Sequence, residues 1–135
     1  MLPLRFPVHW RIASALLLAA VLLAAMMPAM LWWSNPEKMA RWFGSIDKWK
    51  HVGTFAVLAL WFAGQYRPNS YWRIAIGLLA FGLLIELCQR MVSYRTAEWL
   101  DVAADLLGIA IGLLIARAGL GGWAQQFESW LGSRA

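Results

Sequence analysis

The stretch that decides the fold is residues 12–31, which read IASALLLAAVLLAAMMPAML. None of these residues is charged, and at about 1.5 Å of rise per residue they match a hydrocarbon core about 30 Å thick. Shorter or less uniform apolar stretches follow at residues 51–66, 72–92 and 100–116. The chain then ends in a Trp-rich segment with helical spacing, typical of a helix lying on a membrane surface. The pattern predicts an all-α membrane protein with four transmembrane helices and a short interfacial C-terminal helix, in a single domain over residues 1–135.

The composition also favours a lipid environment. Hydrophobic residues make up 61% of the chain and charged residues 14%, whereas soluble domains contain about 25% charged residues. This composition excludes most water-soluble folds and also intrinsic disorder. The basic residues are scattered singly between apolar runs, so no nucleic acid partner is expected despite a pI near 10. With Cys88 as its single cysteine, the chain has no internal disulfide.

The first apolar stretch has a second reading, because a basic start followed by an apolar run also describes a secretory signal peptide. Residues 12–31 are longer than the usual apolar region of about 7 to 15 residues, and the sequence that follows is itself apolar. We therefore expect a retained transmembrane helix.

Four spans would place both termini on the same side of the membrane. The Lys and Arg residues divide equally between the two sides, so their number does not decide the orientation. Arg5 and Arg11 beside the first span, and the short hairpin between Arg67 and Arg73, favour termini on the inner side.

Acidic residues are concentrated at one membrane boundary, in or beside the first and third connections. Asp47 and His51 are four residues apart, as are Asp101 and Asp105, so each pair lies on one face of its helix. Two helices are therefore expected to bring polar side chains to the same boundary.

The third span adds Glu86 and Gln89, three residues apart on one face. Glu86 follows Trp72 by fourteen residues, or about 21 Å of helix, which places it inside the hydrocarbon core. An ionisable group at that depth costs at least about 2.5 kcal/mol and is usually functional. The alternative is that these groups only pair with one another and hold the helices together.

These residues resemble the VanZ-like family of bacterial membrane proteins. The family has Asp-Lys-x-x-His-x-x-x-Phe at the start of a helix, and residues 47–55 read DKWKHVGTF. It has Glu-x-x-Gln at the end of the next helix, and residues 86–89 read ELCQ. The remaining matches to the family pattern are Arg95, Asp101, Gly108 and Gly112. Asp105 departs from the pattern, because the family usually has Asn at that place.

The resemblance implies a bacterial envelope protein. We therefore expect a multi-pass protein of the bacterial cytoplasmic (inner) membrane, with the cytoplasmic termini that the flanking arginines favour. The resemblance also implies a link to resistance against the glycopeptide teicoplanin. It brings no defined reaction, and the sequence leaves open whether the chain is an enzyme.

The first hypothesis for function is an enzyme acting on a lipid-linked or amphiphilic envelope substrate. His51 would be the general acid or base, because its ordinary pKa suits proton transfer near neutral pH. Glu86 and Asp101 would orient it or share its proton. The residues expected to bind the ligand are Asp47, Lys48, Gln89, Arg95 and Asp105, with Arg95 holding a phosphate or carboxylate.

Two alternatives remain from the residues alone. One is a non-catalytic protein that binds a membrane lipid or the glycopeptide, or that acts in assembly. The other is a proton-coupled carrier using Glu86 and Asp105 as a relay. No cofactor is expected, and one candidate histidine is too few for a typical zinc site. The oligomeric state stays open.

Overall fold

The computed structural model describes residues 1–32, 34–42, 45–92 and 99–134, and in these residues it contains helices and no strand. The six α-helices are α1 (Pro7–Trp32), α2 (Pro36–Trp42), α3 (Ser45–Ala63), α4 (Tyr71–Val92), α5 (Trp99–Ile115) and α6 (Trp123–Arg134). A short 3-10 turn, Pro68–Ser70, precedes α4. A kinked segment, Ala116–Leu120, follows α5, and its Gly119 has a non-helical φ of 141°. The all-α prediction is confirmed.

Within the residues that the structure describes, three helical segments are long and apolar enough to cross a membrane: Pro7–Pro28, Pro68–Met91 and Trp99–Leu120. Their large side chains lie on the outside, as expected for helices that face lipid; Leu16 and Leu114, for example, are each 65% exposed. Three of the four predicted membrane spans are therefore supported. The segment that does not meet the criterion is α3, whose first turns contain Asp47, Lys48 and Lys50.

The closest packing between described elements is that of α3 on α5. A Cβ on Gly108 would collide with the carbonyl oxygen of Val52, and a Cβ on Gly112 with that of Ala56. Because both residue numbers increase together, the two helices run parallel, and the glycines allow the backbones to approach closely. The Gly108-x-x-x-Gly112 pattern predicts this close approach, although not the partner helix.

The core lies where α1 and α4 pack against this pair, around Phe55, Leu58, Tyr71 and Leu78. Near the ends of α1 and α4, the Gln89 side chain donates a hydrogen bond to the carbonyl oxygen of Ala25, at 3.1 Å. Thus α1 and α4 run together in one direction, opposite to α3 and α5. The start of α3, the start of α5 and the end of α4 therefore meet at one end of the bundle.

The opposite end is closed by contacts between the N-terminal segment and α6. The Glu128 carboxylate accepts hydrogen bonds from the backbone N–H groups of Arg5 (2.6 Å) and Phe6 (3.1 Å), and from the indole N–H of Trp10 (2.8 Å). Gly122, with a φ of 71°, provides the left-handed turn that starts α6. The predicted C-terminal helix is present; its position at a membrane surface stays a prediction.

Candidate functional site

The site is built from the first turns of two parallel helices. Asp47 lies in the first turn of α3 and Asp101 in the first turn of α5. A carboxylate is stabilised there by the positive end of the helix dipole. One turn further along each helix are His51 and Asp105, which face each other because α3 and α5 pack so closely.

His51 is held between two carboxylates. Its Nδ1 lies 2.6 Å from Oδ1 of Asp105, and its Nε2 lies 3.7 Å from Oδ2 of Asp47. A carboxylate accepts hydrogen bonds and donates none, so Asp105 favours the proton on Nδ1. This arrangement leaves Nε2 as the nitrogen that can accept or release a proton.

The ring of His51 is fixed by packing as well. It lies parallel to the ring of Phe55, with 6.4 Å between the ring centroids. Asp105 is in turn accommodated by Gly82 on α4, where a Cβ would collide with Oδ2 of Asp105. The sequence analysis identified Asp105 but missed this role of Gly82. The only signal that the sequence offers is a glycine within an apolar helix.

Asp101 is 1% exposed, and its Oδ1 lies 3.8 Å from Nζ of Lys48. Its carboxylate also belongs to a group, with Asp47 and His51, whose ligand atoms lie within 4.8 Å of one another. These three side chains could hold a metal ion, since carboxylate oxygens and imidazole nitrogens are common ligands. In the structure, the cation beside Asp101 is the ammonium group of Lys48.

Glu86 and Gln89 are both buried on α4, 6% and 3% exposed. The Gln89 side chain donates its hydrogen bond to the carbonyl oxygen of Ala25 on α1. Within the described residues, the hydrogen-bond and ion-pair partners of His51 are Asp105 and Asp47. Asp105 and Asp47 are therefore the carboxylates that contact the histidine in this part of the chain, and the roles predicted for Glu86 and Asp101 stay predictions. Arg95 lies outside the described residues, so its predicted role stays a prediction.

A cavity of about 260 Å³ opens beside His51. Its polar lining comes from Asp47, Lys50, His51, Thr54 and Gln89. Its apolar lining comes from Val21, Ala24, Ala25, Phe55 and Ile85. One part of the cavity wall is therefore polar and the other part apolar.

A second polar cluster, which the sequence analysis missed, lies at the other end of the bundle. The indole N–H of Trp61 donates to Ser14 Oγ at 2.9 Å, and the Gln65 amide also contacts this hydroxyl, at 3.2 Å. These groups are neutral and hydrogen-bonded to one another, so they connect α1 to α3 without titratable chemistry. The sequence signals are Ser14, the one polar residue of the run 12–31, and Gln65 near the end of the run 51–66.

A sequence model of the VanZ/LLP1 family matches residues 10–120, which includes the whole site. No curated protein and no solved structure matches the chain.

Proposed function

The chain belongs to the VanZ/LLP1 family, and from this premise we propose that it is an enzyme of the bacterial inner membrane that acts on an amphiphilic envelope molecule by proton transfer at His51. The proposal includes α3 as a fourth membrane-spanning helix and both termini in the cytoplasm. It also includes the link to teicoplanin resistance that the family resemblance implies.

The packing of α3 supports a fourth span. It runs parallel to α5, with Val52 against Gly108 and Ala56 against Gly112. The helix α5 is itself apolar enough to cross the membrane. The charged residues of α3 are confined to its first turns, where a spanning helix would reach the headgroups. Charges in that position can contact water and lipid phosphates rather than hydrocarbon.

The observation that carries the proposal is the 2.6 Å contact between His51 Nδ1 and Asp105 Oδ1. A carboxylate behind the imidazole fixes its orientation and stabilises the imidazolium that forms when Nε2 takes a proton. Nε2 can then act as general base toward a hydroxyl or water, and as general acid toward the leaving group. Such catalysis typically contributes a factor of about 10² to 10⁴ in rate.

The lining of the cavity supports an amphiphilic substrate. Lys50 provides a positive charge beside His51, and apolar side chains of α1, α3 and α4 line the rest. We assign Lys48 and Arg95 to the same role as Lys50, the binding of a phosphate or carboxylate on the substrate. A lipid-linked precursor of the cell envelope has this combination of acidic headgroup and hydrocarbon chain.

The test compares His51→Gln with His9→Gln in a bacterial host that lacks its own copy of the protein. Glutamine keeps hydrogen-bonding capacity but cannot transfer a proton at neutral pH. His9 is the matched control, because it is exposed on α1 and its ring contacts Phe6 at the other end of the bundle. We expect His51→Gln to abolish the effect on teicoplanin susceptibility and on envelope lipids, and His9→Gln to retain both.

A second candidate is a non-catalytic protein that binds the same ligand, which the mixed polar and apolar lining of the cavity also favours. It predicts the opposite result, since His51→Gln can still donate and accept hydrogen bonds. Full function of this variant at equal protein levels would therefore overturn the catalytic proposal in favour of binding.

A further inference from the structure

A larger cavity, of about 750 Å³, lies at the end of the bundle opposite to His51. It is formed where α4 begins and the segment after α5 ends, and its lining includes Tyr66, Asn69, Tyr71, Trp72 and Arg117. None of these residues takes part in the proposed chemistry at His51.

The hydroxyl of Tyr71 has an unusual environment in this cavity. Tyr71 is 2% exposed, and its hydroxyl has no hydrogen-bond partner among the residues that the structure describes. Gly121 packs directly against it, because a Cβ at that position would come within 2.5 Å of the hydroxyl oxygen. Buried hydroxyl groups are nearly always hydrogen-bonded, so Tyr71 points to a ligand that supplies an acceptor.

Arg117 adds a positive charge to the same cavity. Its guanidinium carbon lies 5.8 Å from the centre of the Tyr71 ring, and among the described residues it forms no ion pair. The one acid of this end within the described chain, Glu128, is already bound by Arg5, Phe6 and Trp10. A guanidinium group next to a hydroxyl donor suits the oxygens of a phosphate.

The position of the cavity favours a lipid as the source of that phosphate. The apolar segment Pro68–Met91 begins here and Trp99–Leu120 ends here, so the cavity lies at the boundary where phospholipid headgroups are found. Tyr66 also lines a second cavity, of about 400 Å³. That cavity is mainly apolar, with Leu18, Phe62, Leu78 and Phe81 in its lining, which suits an acyl chain.

We propose that Tyr71 and Arg117 form a binding site for the phosphate of an anionic phospholipid, separate from the site at His51. The hydroxyl of Tyr71 donates to a phosphate oxygen, and the guanidinium of Arg117 donates to others. The adjoining apolar cavity receives an acyl chain of the same molecule. This proposal does not depend on the chemistry at His51.

The test is native mass spectrometry of the full chain, delipidated in detergent and titrated separately with three probes. Phosphatidylglycerol carries both the phosphate and the chains, diacylglycerol has the same chains without phosphate, and inorganic phosphate has no chain. We expect phosphatidylglycerol to bind most tightly. Tyr71→Phe and Arg117→Gln should each weaken its binding about tenfold, as expected for one charge-assisted hydrogen bond.

Arg134→Gln is the matched control, because Arg134 lies over the ring of Trp130 on α6 and does not line the cavity. It should bind phosphatidylglycerol like the unchanged chain. Thermal unfolding without added lipid checks the fold, and Tyr71→Phe should be at least as stable there, since it loses only an unpaired hydroxyl. Equal binding of diacylglycerol, or unchanged binding by Tyr71→Phe, would overturn the proposal; inorganic phosphate binding as tightly as the lipid would overturn its lipid source.

Discussion

At the residue scale, the identity of position 105 determines what His51 can do. The family pattern usually has Asn at this position. The amide of Asn can either donate a hydrogen bond to an imidazole nitrogen or accept one from it, so it leaves the tautomer of the histidine open. The carboxylate of Asp105 only accepts, and it lies 2.6 Å from Nδ1. The departure from the family pattern therefore fixes the proton on Nδ1 and supplies a charge that stabilises an imidazolium ion.

This account predicts different effects for two substitutions of Asp105. Asp105→Ala removes both the hydrogen bond and the charge, and should lower the rate of the His51 reaction about 100-fold. Asp105→Asn keeps a hydrogen-bonding group of the same size and should lose less. The measurement is the teicoplanin and lipid phenotype at matched protein levels. If Asp105→Ala matches the unchanged chain, Asp105 does not orient a catalytic histidine.

Binding of a metal ion by Asp47, His51 and Asp101 is the competing use of these side chains. In our account the positive charge beside Asp101 is Lys48, at 3.8 Å, and proton transfer requires no metal ion. We expect purified protein to contain no stoichiometric divalent metal and to retain its activity in a chelator. Activity lost in chelator and restored by one divalent ion would replace proton transfer with metal-assisted chemistry.

Glu128 gives a pH-dependent contribution to stability at the other end of the molecule. Burial disfavours its charge, but hydrogen bonds from Arg5, Trp10 and Phe6 and the Arg5 charge outweigh this, and the pKa of Glu128 is lowered. Because the folded pKa lies below the unfolded value of about 4.5, this stabilisation is present above that pH. It is lost as the pH falls through the folded pKa.

Glu128→Gln should therefore be less stable than the unchanged chain at about pH 6, by roughly 1–2 kcal/mol. The difference should shrink as the pH falls below about 4.5 and through the folded pKa, because the folded carboxylate then takes up its proton. Thermal unfolding in detergent, followed by tryptophan fluorescence, measures both values. Glu37→Gln, at an exposed position on α2, is the control; an equal loss in this variant would contradict a specific role for Glu128.

At the element scale, the pair α3 and α5 positions the site, because its close packing brings His51 to Asp105. Gly108→Ala should destabilise the protein by about 1–3 kcal/mol, since the new methyl group would collide with the Val52 carbonyl. Gly77→Ala on α4 is the matched control, as its Cβ would meet nothing within 4 Å. This control should be neutral or slightly stabilising, because alanine favours the helix.

Gly108→Ala should lower both the thermal stability and the His51-dependent phenotype. Gly77→Ala should lower neither. If Gly108→Ala is as stable and active as the control, the parallel packing of α3 on α5 is not what assembles the site.

The sequence predicts the elements well and their partners less well. The uncharged run at residues 12–31 indicates a membrane-spanning helix. The spacing of Asp101 and Asp105 indicates a helix with one polar face, because helical periodicity is local. Which carboxylate would reach His51 depends on the register between α3 and α5, a tertiary property without a local signal. The roles of Glu86 and Asp101 were assigned by chemistry alone and stay predictions, whereas the contact between His51 and Asp105 became visible only in the structure.

At the scale of the whole molecule, a fourth span at α3 determines on which side of the membrane each connection lies. With four spans, Asn35 and Asn69 lie on opposite sides; if only the three apolar segments cross, they lie on the same side. Both residues are exposed, so each can be changed to cysteine in a Cys88→Ser background. We expect a membrane-impermeant thiol reagent to label only one of the two in sealed vesicles, and equal labelling of both would contradict a fourth span.

The most direct test of the central claim is a single-turnover assay in lipid nanodiscs that contain bacterial envelope lipid extract. The unchanged chain is compared with His51→Gln, and the lipids are followed by mass spectrometry. Our account predicts that the unchanged chain converts at least one acidic amphiphile into a product of different mass, that His51→Gln does not, and that His9→Gln does. Conversion at the same rate by His51→Gln, or no conversion by the unchanged chain, would contradict catalysis at His51.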